Sequence, residues 1–183
     1  FQPILIDWSG RAELKTLRSA EIDGVPSPLL GNSLMAGFYV NELLMRLLER
    51  EDGHPQLFNY YSEAVRQLRA GQPAWPLRRF EFQLLGELGY AVDTRFDASG
   101  EALEPNQLYD YAADEGALPA FGITPNSYKA RIHGATLMAL NSHQKPPKQQ
   151  LRELQMLLQW LMTPMLGDKP LVSSQIARQQ AKK

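Results

Sequence analysis

The apolar and polar residues at the start of the chain follow the pattern of β-strands. Residues 3–8 hold a short run of β-forming side chains, residues 13–21 mix charged residues with β-formers, and Ser9-Gly10-Arg11 between them is typical of a turn. Both stretches are therefore predicted to be strands. One hairpin buries too little apolar surface to be stable alone, so we expect the two strands to complete a sheet whose other strands lie upstream.

Apolar residues at helical spacing follow a linker over residues 24–31. A first helix is predicted from a cap at Asn32 or Ser33 to about Arg50. Because this stretch is apolar nearly all round, the helix is expected to be central and well covered. Its apolar positions are Leu34, Met35, Phe38, Leu44, Met45 and Leu48.

Two further helices are predicted to pack as antiparallel neighbours, because the loops beside them are short. The second begins at Pro55 and stops at Gly71, and the third begins at Pro76 and ends at a glycine cap, Gly89. Gly86 inside the third helix is expected to allow close helix packing. The residues predicted to face the core are Leu57, Tyr61, Val65 and Leu68 in the second helix and Leu77, Phe80, Leu84 and Leu88 in the third.

Glycines and prolines interrupt residues 91–125, which are predicted to form a small β-hairpin subdomain or an ordered loop inserted into the helical bundle. Helices resume near 133–141 and at 147–166, where Pro164 is expected to bend the end of the helix. Ser173 or Ser174 is expected to cap a last short helix. The predicted fold class is mainly α, with strands at the N-terminus and an irregular or β insertion.

Composition excludes several kinds of functional site. The chain contains no cysteine, which rules out disulfides, thiolate zinc sites and a cysteine nucleophile. Its histidines, His54, His133 and His143, share no ligand spacing, so neither a metal nor another cofactor is expected. We find no Gly-x-Ser-x-Gly elbow, no glycine-rich phosphate loop and no apolar run long enough to span a membrane. The sequence therefore gives no positive evidence for an enzyme.

The net charge of −1 conceals segments of opposite sign. Residues 87–115 hold eight acids and one base, a net −7, and these acids are interpreted as solvated loop charge. Residues 143–183 hold seven bases and two acids, a net +5. Such asymmetry favours a charged partner on one side, although two solvated faces of opposite sign give the same pattern.

An arginine-rich stretch of the third helix, residues 77–82 (LRRFEF), is a candidate binding site. If Leu77 and Phe80 face the core, the two arginines and the second phenylalanine lie nearer the surface or a groove. Guanidinium groups pair with carboxylates and an aromatic ring anchors an apolar end, so the motif suits an acidic peptide. The alternative is a solvated helix face whose arginine stems cover apolar surface. The candidate residues, including two on the preceding helix, are Arg78, Arg79, Phe82, Arg66 and Arg69.

Other basic residues are candidates for contact with nucleic-acid phosphates. Near the N-terminus these residues lie on or beside the predicted strands, and near the C-terminus they lie around the start of the long helix. The candidates are Arg11, Lys15, Arg18, Lys145 and Lys148.

Several stretches taken together resemble the RecO family of DNA repair and recombination mediators. They are residues 10–21 (GRAELKTLRSAE), 37–44 (GFYVNELL), 77–81 (LRRFE) and 85–90 (LGELGY), and residues 167–171 (GDKPL) resemble a further family feature. The stretches occur in family order and cover nearly the whole chain. Each is short, but jointly they are specific.

The resemblance implies an N-terminal OB-fold, of which residues 1–22 are the last strands, followed by a helical domain over residues 23–183. Some family members bind zinc through four cysteines in the segment matching residues 93–125. Because this chain has no cysteine, that segment must be held by packing, and no zinc is implied.

The resemblance also implies a non-enzymatic function in the bacterial cytoplasm, at the nucleoid. RecO proteins bind single- and double-stranded DNA, anneal complementary strands, bind the acidic C-terminal tail of the single-stranded-DNA-binding protein, and with RecR help to load RecA. Arg78 or Arg79 is expected to hold the tail carboxylate, and Arg78 is favoured because Leu77 and Phe80 place it beside the buried stripe of the helix. The runner-up is a helical protein-interaction module without DNA binding, and an unrelated enzyme is third.

Overall fold

The computed structural model of the chain describes residues 1–11, 13–50, 52–121, 130–142 and 144–180. Helices dominate these residues, with a few short strands, so the predicted mainly helical class is confirmed. The elements are β1 (Ile4–Ser9), β2 (Thr16–Ile22), α1 (Gly31–Leu47), α2 (Pro55–Leu68), α3 (Ala74–Glu87), β3 (Leu108–Ala112), β4 (Gly116–Pro119), β5 (Ala130–His133), α4 (Gly134–Ala139), α5 (Lys148–Leu166) and α6 (Val172–Gln180).

The first two strands form an antiparallel hairpin, as predicted. Ile4 pairs with Ile22 and Ser9 pairs with Thr16, while a register shift leaves Arg18 without a directly opposite residue on β1. Such a bulge twists the strand locally and changes the direction of its side chains. The large apolar side chains of the hairpin are exposed; they are Ile4, Leu5, Ile6, Trp8, Leu17 and Ile22.

The hairpin is attached to the helices through Phe1. The Phe1 ring packs edge-on against Phe38 of α1, with ring centroids 5.7 Å apart. Gly37 makes this approach possible, because a Cβ there would lie 2.7 Å from the Phe1 ring. Arg69, at the end of α2, donates to the backbone carbonyls of Ser27 and Phe1 over 3.1 and 3.2 Å.

The helical core forms where α3 packs between α2 and α5, with α1 across one side. Val40, Leu43, Phe80 and Leu84 are fully buried there. The prediction that α1 is covered all round is wrong, because Met45 is 84% exposed and Phe38 is 48% exposed. An apolar stretch without a polar face carries no signal for which side meets the neighbouring helices.

The helix ends follow the predicted glycines better than the predicted caps. Gly89 has a positive φ of 86°, and the Tyr90 amide donates to the Leu85 carbonyl over 2.8 Å, which closes α3 as a Schellman turn. At the start of α1, Leu30 is the N-cap and makes no side-chain cap hydrogen bond, so the predicted serine or asparagine cap is wrong. The prediction that Gly86 allows close helix packing is also wrong, because a Cβ at this position would meet nothing within 4 Å.

The insertion contains a three-stranded antiparallel sheet in the order β4-β3-β5. The β3–β4 hairpin lies where a β insertion was predicted, whereas β5 occupies a segment whose end was predicted to be helical. Asp110 on β3 is buried and accepts two hydrogen bonds from Arg131 on β5, over 2.9 and 3.0 Å. Asp97 is buried as well, so the interpretation of all these acids as solvated charge is wrong at both. Part of the predicted insertion, residues 122–125, lies outside the described residues.

The last two helices lie beside α1 and α3. α5 begins at Lys148, buries Leu154, Leu157 and Leu158 completely, and continues two residues beyond Pro164. α6 packs mainly on α1. Among the described residues, no helix is both long enough and apolar enough to cross a membrane.

Candidate functional site

A cleft of about 480 Å³ lies between α1, α3, α5 and α6. Its wall on α3 is formed by Leu77 and Arg78, which follow each other in the sequence. α6 supplies the opposite wall through Ser173, Ser174 and Ala177. The cleft is therefore enclosed by elements that are far apart in the sequence, and it combines apolar walls with basic side chains.

One face of α5 supplies two of the cations that line this cleft. Lys148, Arg152, Gln155 and Gln159 follow one another at intervals of three or four residues, which places them on one side of the helix. Leu151, on the same side, is buried and adds an apolar surface. Arg152 is missing from the predicted site residues, although this spacing is visible in the sequence.

At its inner end the cleft meets a buried cluster of three ionisable side chains. Nη2 of Arg78 lies 2.5 Å from Oε1 of Glu81, and the Tyr39 hydroxyl donates to the same oxygen over 2.7 Å. Glu81 is fully buried and Arg78 is 5% exposed. Burial raises the pKa of Glu81, while the charge of Arg78 and the hydrogen bonds from Tyr39 and Arg78 act in the opposite direction.

The sequence places Arg78 nearer the surface or a groove. It does line the cleft, but the sequence does not predict its almost complete burial. Like Leu77, Arg78 lies between the helices and lines the cleft. Its partners Glu81 and Tyr39 were not predicted as site residues. The spacing of three residues between Arg78 and Glu81 is typical of a helical ion pair, but it does not reveal that the pair is buried.

The other predicted peptide-binding residues do not line the cleft. Arg79 stacks near Trp75, with its guanidinium carbon 6.0 Å from the ring centroid, and lines a small crevice between α2 and α3. Arg66 donates to both carboxylate oxygens of Glu63 over 2.7 and 2.6 Å, and these hydrogen bonds are the largest of several effects that lower the pKa of Glu63 to about 2. Phe82 is half-buried against the core.

The structure places the predicted nucleic-acid contacts at three locations. Arg11, Lys15 and Arg18 are exposed on the N-terminal hairpin. Lys148 is exposed at the cleft that also contains Arg78. Lys145 is exposed between α4 and α5, where its ammonium group donates to the Gln72 side chain over 2.8 Å.

The two histidines within the described residues each lie beside carboxylates. His54 lies 3.3 Å from Asp52, and Nδ1 of His133 lies 2.9 Å from Glu153. His143 lies outside the described residues. Within the part of the chain that the structure describes, no group of three or more histidine, aspartate or glutamate side chains is arranged so that it could hold a metal ion.

Comparison with known proteins identifies related sequences over nearly the whole chain. Residues 31–175 match the family model described as Recombination protein O C terminal. The chain is 41% identical to the DNA repair protein RecO of Nitrosospira multiformis, over 98% of this chain and 74% of that relative. It is similar to the DNA repair protein RecO of Azoarcus sp. (40% identity, 98% and 75% covered) and of Coxiella burnetii (36%, 96% and 76% covered).

Proposed function

This chain belongs to the RecO family of DNA repair and recombination proteins, and we propose that it acts as a mediator without catalysis of its own. In this proposal it binds DNA, promotes annealing of complementary strands, and binds the acidic C-terminal tail of the single-stranded-DNA-binding protein. With RecR it then assists the loading of RecA. The observation that carries the proposal is the cleft that has Arg78 at its inner end and two further cations along α5.

The chemistry of the cleft suits an acidic peptide that ends in an apolar residue. Lys148 and Arg152 are exposed cations at the cleft and attract a negatively charged segment. Arg78 offers guanidinium N–H groups to a terminal carboxylate, and charge-assisted hydrogen bonds of this kind are the strong ones. Leu77 and Leu151 supply the apolar surface that anchors the last side chain.

This geometry changes which residues we propose for the tail. Arg78 remains the proposed carboxylate ligand, and Lys148 and Arg152 join it. Arg79 lies in the crevice on the α2 side of α3, and Arg69 holds the N-terminal segment, so we propose neither as a tail contact. In place of Phe82, Leu77 and Leu151 are proposed as the apolar anchor.

The hairpin supports the proposal of a separate DNA-binding surface. Arg11, Lys15 and Arg18 are exposed there, and phosphate contacts of this kind supply most of the affinity for nucleic acid without reading sequence. A DNA surface on the hairpin and a tail site in the helical cleft allow the protein to hold DNA and its coating protein together. A helical interaction module without DNA binding would use the cleft alone.

The tail site is tested by titrating a labelled acidic peptide with an apolar C-terminal residue, once with a free carboxylate and once amidated. We expect Arg78→Lys and amidation each to weaken binding by about 10- to 150-fold, since a hydrogen bond to a charged group contributes about 1.5–3 kcal/mol. The two changes should not add, because they remove the same contact. Lysine keeps the charge beside buried Glu81, which alanine would leave without a partner.

The matched control is Arg79→Lys, which makes the same exchange at the neighbouring position outside the cleft. It should bind the peptide like the wild type. If the amidated peptide binds as tightly as the acid, or if Arg78→Lys binds like the wild type, the tail site lies elsewhere.

A further inference from the structure

We infer that Glu81 competes with an incoming carboxylate for Arg78, so that an acidic ligand binds in the cleft together with uptake of a proton by Glu81. This inference rests on the proposed function, since the ligand is the terminal carboxylate of the acidic tail. It assigns to Glu81 a positioning role, because Glu81 acts on the ligand only through the guanidinium group.

The contacts of the buried pair leave hydrogen-bonding capacity unused. Arg78 and Glu81 are joined through Nη2 and Oε1. Within the described residues, Nε of Arg78 and Oε2 of Glu81 are buried and have no hydrogen-bond partner. The guanidinium therefore holds Glu81 by one edge only, although its planar fork can bind a carboxylate through two parallel hydrogen bonds. A ligand carboxylate that reaches Arg78 can satisfy donors that Glu81 leaves unpaired.

Charge balance requires a proton when the ligand arrives. The free pair is neutral, because one guanidinium faces one carboxylate. A second carboxylate adds a negative charge beside Arg78 and Glu81, which are both buried, and an uncompensated charge there is costly. If the Glu81 carboxylate takes a proton from the solvent, it becomes a neutral carboxylic acid. Arg78 is then paired with the ligand, and the site is neutral again.

The surroundings of Glu81 favour its protonation. Burial already raises the pKa of Glu81, and a second negative charge beside Arg78 raises it further. From α1, the Tyr39 hydroxyl donates to Glu81 and stays protonated, because burial and the charge of Glu81 both raise the pKa of Tyr39. A hydroxyl can donate to either form of the carboxyl group, so Tyr39 need not move.

The remaining charged groups act from farther away. On α5, Lys148 and Arg152 are the cations that line the cleft. On α2, Glu63 is bound to Arg66 and influenced by Arg79, on the other side of α3. α6 lines the cleft with serine and alanine side chains. Arg78 and Tyr39 are thus the ionisable groups that act directly on Glu81.

The test is calorimetric titration of the whole chain with the acidic peptide, between pH 6 and 9, in buffers that differ in ionisation enthalpy. The wild type should take up protons on binding, and its affinity should fall as pH rises, by at most about tenfold per pH unit for a single proton. The amidated peptide has the same acidic side chains but lacks the terminal carboxylate. It should bind without this proton uptake.

Glu81→Gln keeps the size of the side chain but cannot titrate. It should bind the peptide more tightly than the wild type at pH 8, with no proton uptake and no pH dependence over this range. Tyr39→Phe removes only the hydroxyl that stabilises the Glu81 carboxylate. It should keep the proton uptake and shift the pH dependence to higher pH, and it decides the question if Glu81→Gln does not fold.

The outcomes separate this inference from the tail site itself. If Arg78→Lys and amidation weaken binding but the wild type takes up no proton, the inference is overturned and the tail site stands. The same conclusion follows if Tyr39→Phe leaves the pH dependence unchanged. If neither Arg78→Lys nor amidation affects binding, the proposed tail site fails, and the inference fails with it.

Discussion

Ser173, at the start of α6, donates its backbone N–H and its hydroxyl to Oε2 of Glu42 on α1, over 2.9 and 2.6 Å. The Val172 amide donates to the other oxygen over 2.8 Å. The first amides of a helix have no intrahelical acceptor, and negative charge is favourable beside them. A carboxylate from another helix thus caps α6, where the sequence predicted a serine hydroxyl in that role.

The first prediction is that Glu42→Ala loosens α6 and leaves the rest of the helical domain folded. Loss of a helix cap costs about 0.5–2 kcal/mol, so hydrogen exchange of the amides of α6 should accelerate by about 2- to 30-fold at neutral pH. Mass spectrometry of residues 172–180 measures this rate. Glu49→Ala, at an exposed position beyond the end of α1, is the matched control and should leave the exchange of α6 unchanged.

The effect of Glu42→Ala should depend on pH. Burial raises the pKa of Glu42, but the hydrogen bonds from Ser173 and Val172 outweigh it and hold the pKa below the usual 4.5. A carboxyl whose pKa is depressed by folding stabilises the protein above its unfolded pKa and loses this effect as pH falls through the folded value. Wild type and variant should therefore converge in acid. Equal exchange rates at neutral pH would show that other contacts hold α6.

Helix boundaries could be predicted where a local residue determines them. Pro55 begins α2, and Gly71 and Gly89, both with positive φ, follow α2 and α3. The strand β5 could not be predicted in the same way. Its four residues pair with β3 about twenty residues earlier, so the contacts that define it are not visible in a local pattern.

The candidate site could also be predicted only in part, because local sequence determines some of its features and tertiary packing determines the others. The arginine motif of α3 made Arg78 a candidate, and Arg78 lines the cleft, but the same pattern is also typical of a solvated helix face. The burial of Arg78, and its contacts with Glu81 and Tyr39, depend on how α1 and α5 cover α3. A sequence pattern specifies the face of a helix, but tertiary packing decides what covers that face.

The second prediction concerns Gly134, the first residue of α4. A Cβ at this position would lie 2.1 Å from the carbonyl oxygen of Glu104 and 3.1 Å from the Tyr109 ring. The Glu104 atom belongs to the backbone and Tyr109 is buried on β3, so the structure must shift to admit a methyl group. We expect Gly134→Ala to lower the free energy of unfolding by about 1–3 kcal/mol, the usual cost of overpacking. Thermal unfolding followed by circular dichroism measures the loss.

Gly86→Ala is the matched control for this change. Gly86 lies within α3, and a Cβ there meets nothing within 4 Å. Alanine at an exposed helical position is favoured over glycine by about 0.5–1 kcal/mol, so this variant should be at least as stable as the wild type. If Gly134→Ala unfolds at the same temperature as Gly86→Ala, the contact between Gly134 and Glu104 is looser than the structure indicates.

The third prediction separates DNA binding from tail binding. Lys15 and Arg18 are exposed on the hairpin, whereas Lys148 lines the cleft. Each lost phosphate contact lowers the log–log salt slope for single-stranded DNA by about 0.7, so Lys15→Gln with Arg18→Gln should lower it by about 1.4. This double variant should bind the acidic peptide like the wild type, since the hairpin does not line the cleft.

Lys148→Gln should weaken binding of the acidic peptide. Because Lys148 is also a proposed phosphate contact, this variant should reduce the salt slope of DNA binding as well. Titration of a labelled oligonucleotide at several salt concentrations, beside the peptide titration, measures both affinities. If the slope survives substitution of Lys15, Arg18, Lys145 and Lys148 together, another surface binds the DNA.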